Sequence, residues 1–228
     1  MASNRRYGLI APLYDTVSGE WPIYRIGRIA GIRALQLKPG DRVLDIGCGT
    51  GLNFPLLREA VGPGGRIVGV DISGEMLQRS RTRAARRGWA NVEVVQADAT
   101  TIGHATLTEL LGPGEAPNSA VAVLFTYALS LMTDWPQAWR AGLSVCQPGE
   151  RLAVVDSAAP QGTAGVLLGP LARLVCRLGG ADIDAHPWKA VEQDCADVEA
   201  SSLRAGHVQV RAGVKRGDSE RPRERTPA

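Results

Sequence analysis

The chain is poor in the residue types that build metal centres and disulfide frameworks. Its 228 residues include only four cysteines and three histidines. No two cysteines form a C-x-x-C pair, and their wide separation argues against both a zinc site and a set of structural disulfides. We therefore predict reduced thiols and no bound metal, as expected for a cytoplasmic protein. The four positions are Cys48, Cys146, Cys176 and Cys195.

Long hydrophobic runs and a strong charge of one sign are also absent. A mostly apolar stretch, 121–132, is interrupted by Thr126, Tyr127 and Ser130 and falls short of the roughly 20 residues that a membrane helix needs. The first 14 residues contain arginines but no apolar segment, so we expect no secretory signal. The net charge of +3 is too small to indicate a nucleic acid as partner.

Aromatic residues make up only 5% of the chain, yet several of them occur close to the start. We expect residues 1–36 to form a helical cap in which Tyr7, Tyr14, Trp21 and Tyr24 pack onto the rest of the protein, or in which the first three close over a ligand. The composition beyond this segment is that of one globular domain. Residues 214–228 are charged and almost free of apolar side chains, which predicts a disordered tail.

Three glycines at alternate positions follow a short apolar strand. The sequence Val-Leu-Asp-Ile-Gly-Cys-Gly-Thr-Gly occupies residues 43–51 and predicts a buried strand, a tight turn and the start of a helix. Glycine is needed where the backbone bends sharply or where a ligand lies against it. The spacing Gly47-x-Gly49-x-Gly51 is neither the G-x-G-x-x-G of dinucleotide-binding folds nor a phosphate-binding loop ending in Gly-Lys-Ser/Thr.

Two further acids follow the next two predicted strands. Asp71 ends the apolar run 66–70, twenty residues after Gly51, where a carboxylate can accept hydrogen bonds from ribose hydroxyls. Asp71 could also only cap the helix that follows. Asp98 comes directly after the strand predicted at 92–96, and an acid at that place can accept from the exocyclic amine of adenine. Core packing alone hardly explains three strand-end acids.

The order Asp45…Gly51, Asp71 and Asp98-Ala99 resembles motifs I, II and III of class I S-adenosylmethionine-dependent methyltransferases, over about residues 38–156. The resemblance implies an α/β fold: a Rossmann-like, doubly wound, mostly parallel seven-stranded sheet with an antiparallel last strand, in a domain covering 37–213. We predict the closing hairpin at 199–203 and 207–212, after a helix at 189–198. S-adenosylmethionine is the implied cofactor. Its predicted contacts are Asp45, Gly47, Cys48, Gly49, Gly51, Asp71, Ile72, Met76, Asp98, Ala99 and Tyr127.

Methyl transfer from a sulfonium needs alignment of the acceptor more than a nucleophilic side chain. A base helps only where the acceptor must lose a proton. The candidates for orienting or deprotonating the acceptor are Tyr127, Tyr14 and His186. His186 could equally be a solvated loop residue, and the Tyr127 ring could only form a wall of the pocket.

The acceptor is expected to be a small molecule or an amphiphile. Tyr14-Asp15 near the start resembles methyltransferases of quinone biosynthesis, whereas residues 127–135 look more like phospholipid and betaine-lipid N-methyltransferases. The apolar segment 166–178 could contact a membrane surface, or form a lid or core helix. Two alternatives stay open: a non-catalytic relative that binds the cofactor or a partner, and an NAD-dependent dehydrogenase. No oligomeric state is predicted.

Overall fold

The computed structural model describes residues 24–114, 119–160 and 180–217. The predictions for Tyr7, Tyr14, Trp21 and the segment 166–178 therefore lie outside the described residues, as does the tail from residue 218 onward. In chain order the elements are α1 (Arg25–Ala34), β1 (Arg42–Ile46), α2 (Phe54–Val61), β2 (Arg66–Asp71), α3 (Gly74–Arg86), β3 (Val92–Gln96), α4 (His104–Leu111), β4 (Val121–Thr126), a 3₁₀ turn (Leu129–Leu131), α5 (Trp135–Val145), β5 (Arg151–Ser157), α6 (Lys189–Asp194), β6 (Cys195–Leu203) and β7 (Val208–Lys215).

The strands form one sheet in the order β3-β2-β1-β4-β5-β7-β6. Each neighbouring pair among β1 to β5 is parallel, and β7 is antiparallel to both of its neighbours. This confirms the predicted seven-stranded, mostly parallel sheet and its antiparallel last strand. The strand order reverses between β1 and β4, and crevices at such reversal points hold the ligands of open α/β sheets.

Three described helices pack on each face of the sheet because the parallel strands are apolar on both sides. Leu44 and Ile46 of β1 point into the core formed with α4, α5 and α6. Val43, one residue away, points into the core formed with α1, α2 and α3. Since side chains alternate along a strand, Asp45 shares the side of Val43 and faces α1 and α2.

The predicted helix over 189–198 is wrong in its second half. The helix ends at Asp194, and Cys195 begins β6, where Cys195 pairs with Lys215 and Ala196 with Val214. Pairing with β7, the next strand in the chain, thus overrides the helical pattern of the local sequence. The closing hairpin itself is confirmed, with a turn over 204–206 in which all three residues are left-handed. Its second strand runs to Lys215, so the tail predicted at 214–228 is wrong for Val214 and Lys215, which pair with β5 and β6. None of the helices in the described ranges is long and apolar enough to cross a membrane.

Candidate active site

A cavity of about 540 Å³ opens at the carboxyl ends of β1 to β4, where the strand order reverses. The glycine loop forms one wall, the turns after β2 and β3 form a second, and the segment after β4 forms a third. The lining residues are Arg28, Gly47, Cys48, Gly49, Thr50, Leu52, Val70, Asp71, Ile72, Ser73, Met76, Ala97, Asp98, Ala99, Thr100, Thr126, Tyr127, Ala128, Leu131, Met132, Thr133 and Asp134. This set includes nine of the eleven predicted cofactor contacts.

The three glycines of the loop have different structural roles. A Cβ on Gly47, at φ +72°, would overlap the side chain of Ala128, and one on Gly51 would lie 2.6 Å from the Phe54 ring. Gly49, at φ +54°, has no atom within 4 Å of the place where a Cβ would be. The first and third glycines are therefore required by packing, whereas the second leaves free space against the backbone on the cavity side.

Asp71 both shapes the turn and lines the cavity. Its Oδ2 accepts a hydrogen bond from the Gly49 N–H at 2.9 Å, and its Oδ1 accepts from the Ser73 N–H at 2.9 Å. Burial raises the pKa of Asp71, and these backbone donors lower it in part. Ser73 is the residue that caps α3, so the capping role does not fall to Asp71. Next to it, Ile72 leaves 57% of its surface exposed.

Asp98 keeps one carboxylate oxygen available. Its Oδ1 accepts from the backbone N–H and the hydroxyl of Thr100, at 2.8 and 2.7 Å. In the part of the chain that the structure describes, its Oδ2 has no hydrogen-bond partner. Ala99 is buried at the cavity floor beside it. Together with Ile72 and Met76, these residues form a slot with apolar walls and an acceptor at its end.

Asp45 lies behind the glycine loop and does not line the cavity. Its carboxylate is fully buried and accepts from Asn53 Nδ2 at 2.9 and 3.0 Å. Burial raises the pKa of Asp45 to about 7, against the lowering effects of Asn53 and Arg28. Asp45 lies there because side chains alternate along β1, and the side chain at position 45 points toward α1 and α2. Asp45 is therefore in a position to act on the cavity only through its neighbours.

Two residues that the sequence reasoning missed connect Asp45 to the cavity. Asn53 also donates to Thr126 Oγ1 at 2.5 Å, and its Oδ1 accepts from Arg28 Nη1 at 3.1 Å. The Arg28 guanidinium lies 5.3 Å from the centre of the Tyr127 ring and lines the cavity. Asn53 is recognisable only by its position at the start of α2. Arg28 carries no sequence signal, since it precedes Asp45 by seventeen residues and looks like any surface arginine.

Tyr127 stands at the end of β4 in a left-handed conformation, with φ +53°. Its hydroxyl donates to the Tyr24 carbonyl at 2.9 Å, and the two rings meet edge to face at 4.8 Å. A Cβ on Gly27 of α1 would overlap that hydroxyl, so the helix fits closely over the ring. The structure thus brings Tyr127 to the cavity with its hydroxyl already engaged.

Of the other two predicted catalytic residues, His186 is not brought there. His186 packs against Trp188, with ring centres 5.0 Å apart and the rings tilted by 55°, and is not among the residues that line the cavity. The 180–188 loop places the His186 ring against Trp188, so the ring does not extend into the cavity as the catalytic prediction requires. Tyr14 lies outside the described residues. Cys48 lines the cavity, but burial raises its pKa well above the ordinary value and keeps it a thiol.

A buried acid at the end of β5 was also missed. Both oxygens of Asp156 accept from Ser130, at 3.0 Å from the backbone N–H and 2.7 Å from the hydroxyl. Burial raises the pKa of Asp156. These bonds fix the 3₁₀ turn after β4, which carries Leu131 into the cavity wall. Asp156 therefore holds one wall of the site in place.

The chain matches known proteins across most of the described region. A protein-family model for the methyltransferase domain matches residues 37–202. The 2-phytyl-1,4-naphtoquinone methyltransferase of Thermosynechococcus vestitus is 31% identical over 157 residues, covering 68% of this chain and 64% of that protein. The ubiquinone/menaquinone biosynthesis C-methyltransferase of Pseudomonas fluorescens is 33% identical over 147 residues, covering 64% and 52%. The chain spans about half to two-thirds of the length of these relatives.

Solved structures share the fold over nearly the whole chain. One is phosphoethanolamine N-methyltransferase 2 of Haemonchus contortus in complex with phosphomonomethylethanolamine and S-adenosylhomocysteine, with a TM-score of 0.66, 17% identity and coverage of 95% of this chain and 61% of that one. The [4+2]-cyclase SpnF has a TM-score of 0.64 at 17% identity, covering 94% and 96%. Such identities show the fold alone. The family model over residues 37–202 and the relative at 31% identity establish that the chain belongs to the class I S-adenosylmethionine-dependent methyltransferases.

Proposed function

We propose that the chain moves the methyl group of S-adenosylmethionine to a ring carbon of an amphiphilic quinone precursor. The observation that carries the proposal is one continuous cavity, in which the glycine loop and the strand-end acids face an apolar wall of Ala128, Leu131 and Met132. A quinone ring with an apolar chain fits such a wall better than a charged head group does. The names of the two relatives, one of them a C-methyltransferase, support the same acceptor class.

The residues present fit the cofactor. The open space over Gly49 accommodates a ligand against the loop backbone, and a polar adenosine would find acceptors at Asp71 and Asp98. Ile72, half exposed at the rim, would cover one face of the adenine. Among the described residues that line the cavity, Arg28 is the only cation, and we assign it to the carboxylate of the methionine part.

Asp45 has a positioning role in this proposal. It holds Asn53, and Asn53 in turn holds Arg28 and the end of β4. The loop and the cation would thereby be pre-ordered before the cofactor arrives, which lowers the entropy cost of binding. Gly51 supports the same geometry by allowing the loop to pack against α2.

The bound cofactor supplies an activated methyl group, so the chain's own contribution is alignment and exclusion of water. Ala128, Leu131 and Met132 would hold the acceptor ring, and the Tyr127 ring would close the side next to α1. Since the Tyr127 hydroxyl already donates to the Tyr24 carbonyl, we assign it to shaping the wall. The involvement of His186 and Tyr14 in catalysis stays a prediction.

The first test is calorimetric titration with S-adenosylmethionine and, in parallel, with NAD. We expect micromolar affinity for the former and no heat of binding for the latter. Gly49→Arg should abolish binding, because the side chain would fill the space over the loop. Gly149→Arg is the matched control, since that glycine is also left-handed with no atom near its Cβ position, but lies in the turn before β5. Unchanged affinity in Gly49→Arg would contradict the assignment of the loop.

The second test addresses the acceptor. Reduced 2-phytyl-1,4-naphthoquinone and phosphoethanolamine are offered separately with the cofactor, and the products are analysed by mass spectrometry. We expect a methyl group on the naphthoquinol ring carbon and none on phosphoethanolamine. Methylation of the amine alone would refute the quinone assignment. Tight cofactor binding without turnover of either compound would favour the non-catalytic alternative.

A further inference from the structure

A second cavity, of about 380 Å³, lies at the amino ends of β1, β2 and β3, whereas the proposed cofactor site lies at the carboxyl ends of the strands. Arg42 and Arg66, the first residues of β1 and β2, line it together with Arg58 from the last turn of α2. Asn91, just before β3, completes the polar part of the wall. The remaining lining residues are glycine, alanine and proline. Nothing in the proposed methyl transfer uses this cavity.

The cavity carries uncompensated positive charge. In the described parts of the chain, three guanidinium groups and no carboxylate line it. Arg66 is paired with Glu93 at 2.5 Å. Arg42 donates to two backbone carbonyls, including that of Gly112 at 2.7 Å, but makes no ion pair within the described residues. The Arg58 side chain has neither a hydrogen bond nor an ion pair within those residues. Within the described ranges, two charges, on Arg42 and Arg58, are thus left without a counterion.

Two buried atoms at this cavity have no hydrogen-bond partner. They are the donor Nε of Arg58 and the acceptor Oδ1 of Asn91, and they are the only such side-chain atoms in the described ranges. The Asn91 Nδ2 donates to the carbonyls of Gly62 and Gly65 at 3.1 and 2.6 Å, so the orientation of its amide is fixed. Folded proteins rarely leave buried polar atoms unpaired, and both cases here fall on one cavity.

We propose that this cavity binds a small phosphorylated metabolite. A phosphate monoester carries close to two negative charges at neutral pH, which matches the uncompensated charges of Arg42 and Arg58. Its oxygens accept from the Arg42 and Arg58 guanidinium groups, and the rest of the molecule contacts the wall at Asn91. The volume suits a ligand of the size of a sugar phosphate. Because the two cavities lie at opposite ends of the same strands, this ligand and the methyl donor can bind at the same time.

The proposal is tested by titrating the full chain with ribose 5-phosphate, methyl phosphate and ribose at constant ionic strength. We expect one saturable site for ribose 5-phosphate, weaker binding of methyl phosphate and none of ribose. Arg58→Gln should weaken ribose 5-phosphate binding at least about tenfold, because it removes a charged donor. Arg79→Gln, on α3 and away from the cavity, makes the same change of charge and should leave the affinity unaltered.

Two further variants make the outcome decisive. Gly49→Arg fills the other cavity and should leave ribose 5-phosphate binding unchanged, so a failure here is distinct from a failure of the methyltransferase proposal. Arg58→Lys keeps the charge and should show an intermediate loss of affinity. It replaces Arg58→Gln in the comparison if thermal denaturation shows that Arg58→Gln does not fold. Equal affinity of the wild type and the folded Arg58 variant would overturn the proposal. So would the absence of saturable binding up to roughly 10 mM ribose 5-phosphate.

Discussion

Replacement of Asp45 by asparagine should change how the stability of the protein depends on pH. The buried carboxyl has a pKa of about 7 in the fold, against an ordinary value of 3.8. A raised pKa in the fold means that the protonated form is favoured there. Its stabilising contribution is therefore complete below about pH 4 and is lost as the pH rises through 7.

The size of the effect follows from these two values. At about 1.4 kcal/mol per pH unit, the interval between them corresponds to a loss of about 4 kcal/mol in total. Between pH 5 and pH 8 the loss is roughly 3 kcal/mol, because part of it has already occurred below pH 5. Asp45→Asn does not titrate, so it should lack this loss. Asp156, whose pKa burial also raises, is present in both proteins and cancels in the comparison. The charge of Asp71 raises the pKa of Asp45, so the titration of Asp71 also changes in the variant and adds a smaller difference.

The measurement is urea unfolding of the wild type and Asp45→Asn at several pH values from 5 to 8, at constant ionic strength. We expect the difference in unfolding free energy to shift by roughly 3 kcal/mol in favour of the variant as the pH rises. Glu109→Gln, which removes an exposed carboxylate from α4, is the control and should give a flat difference. A difference for Asp45→Asn that stays constant within about 0.5 kcal/mol would refute the reasoning, since the carboxylate would then be charged in the fold throughout.

Three more predictions concern the loop and its supports. Gly47→Ala should destabilise the fold by more than about 2 kcal/mol, because the added Cβ overlaps Ala128 and φ is left-handed. Gly49→Ala should cost only about 1 kcal/mol, because only the left-handed φ opposes it. Equal losses of unfolding free energy in urea would contradict this difference. Asn53→Ala should cost about 1–3 kcal/mol, because it leaves the Asp45 carboxyl buried without its donor, and an unchanged midpoint would argue against that link. Tyr127→Phe should cost about 1 kcal/mol of stability and leave the methyl-transfer rate within about threefold; a loss of a hundredfold or more would make its hydroxyl catalytic.

The sheet and the glycine loop were predictable because their signals are local. Apolar runs ending in an acid mark parallel strands, and the glycines at 47, 49 and 51 mark the turn that follows the first of them. The resemblance to class I methyltransferases supplied the antiparallel last strand. The predicted helix at 189–198 failed from Cys195 onward because that segment takes its conformation from β7, which follows it in the chain.

The details of the site depended on contacts that no local pattern encodes. Asp45 and Asp71 look alike in the sequence, since each ends an apolar run. In the structure Asp71 lines the cavity while Asp45 lies beneath the loop, on the side of α1 and α2. Arg28 and Asn53 became visible only when α1 and α2 were seen packed on the same face.

The position of β7 in the sheet has a consequence for the order in which the protein can be completed during synthesis. Among the described strands, β6 pairs only with β7, although β6 leaves the ribosome first. Until residues 208–215 have emerged, β6 has no partner, and β5 lacks its outer neighbour. The four strands β1 to β4, whose carboxyl ends border the first cavity, are already available once Thr126 has emerged. A nascent chain can therefore assemble the half that carries this cavity early, whereas the other edge of the sheet is completed only when the last strand is inserted.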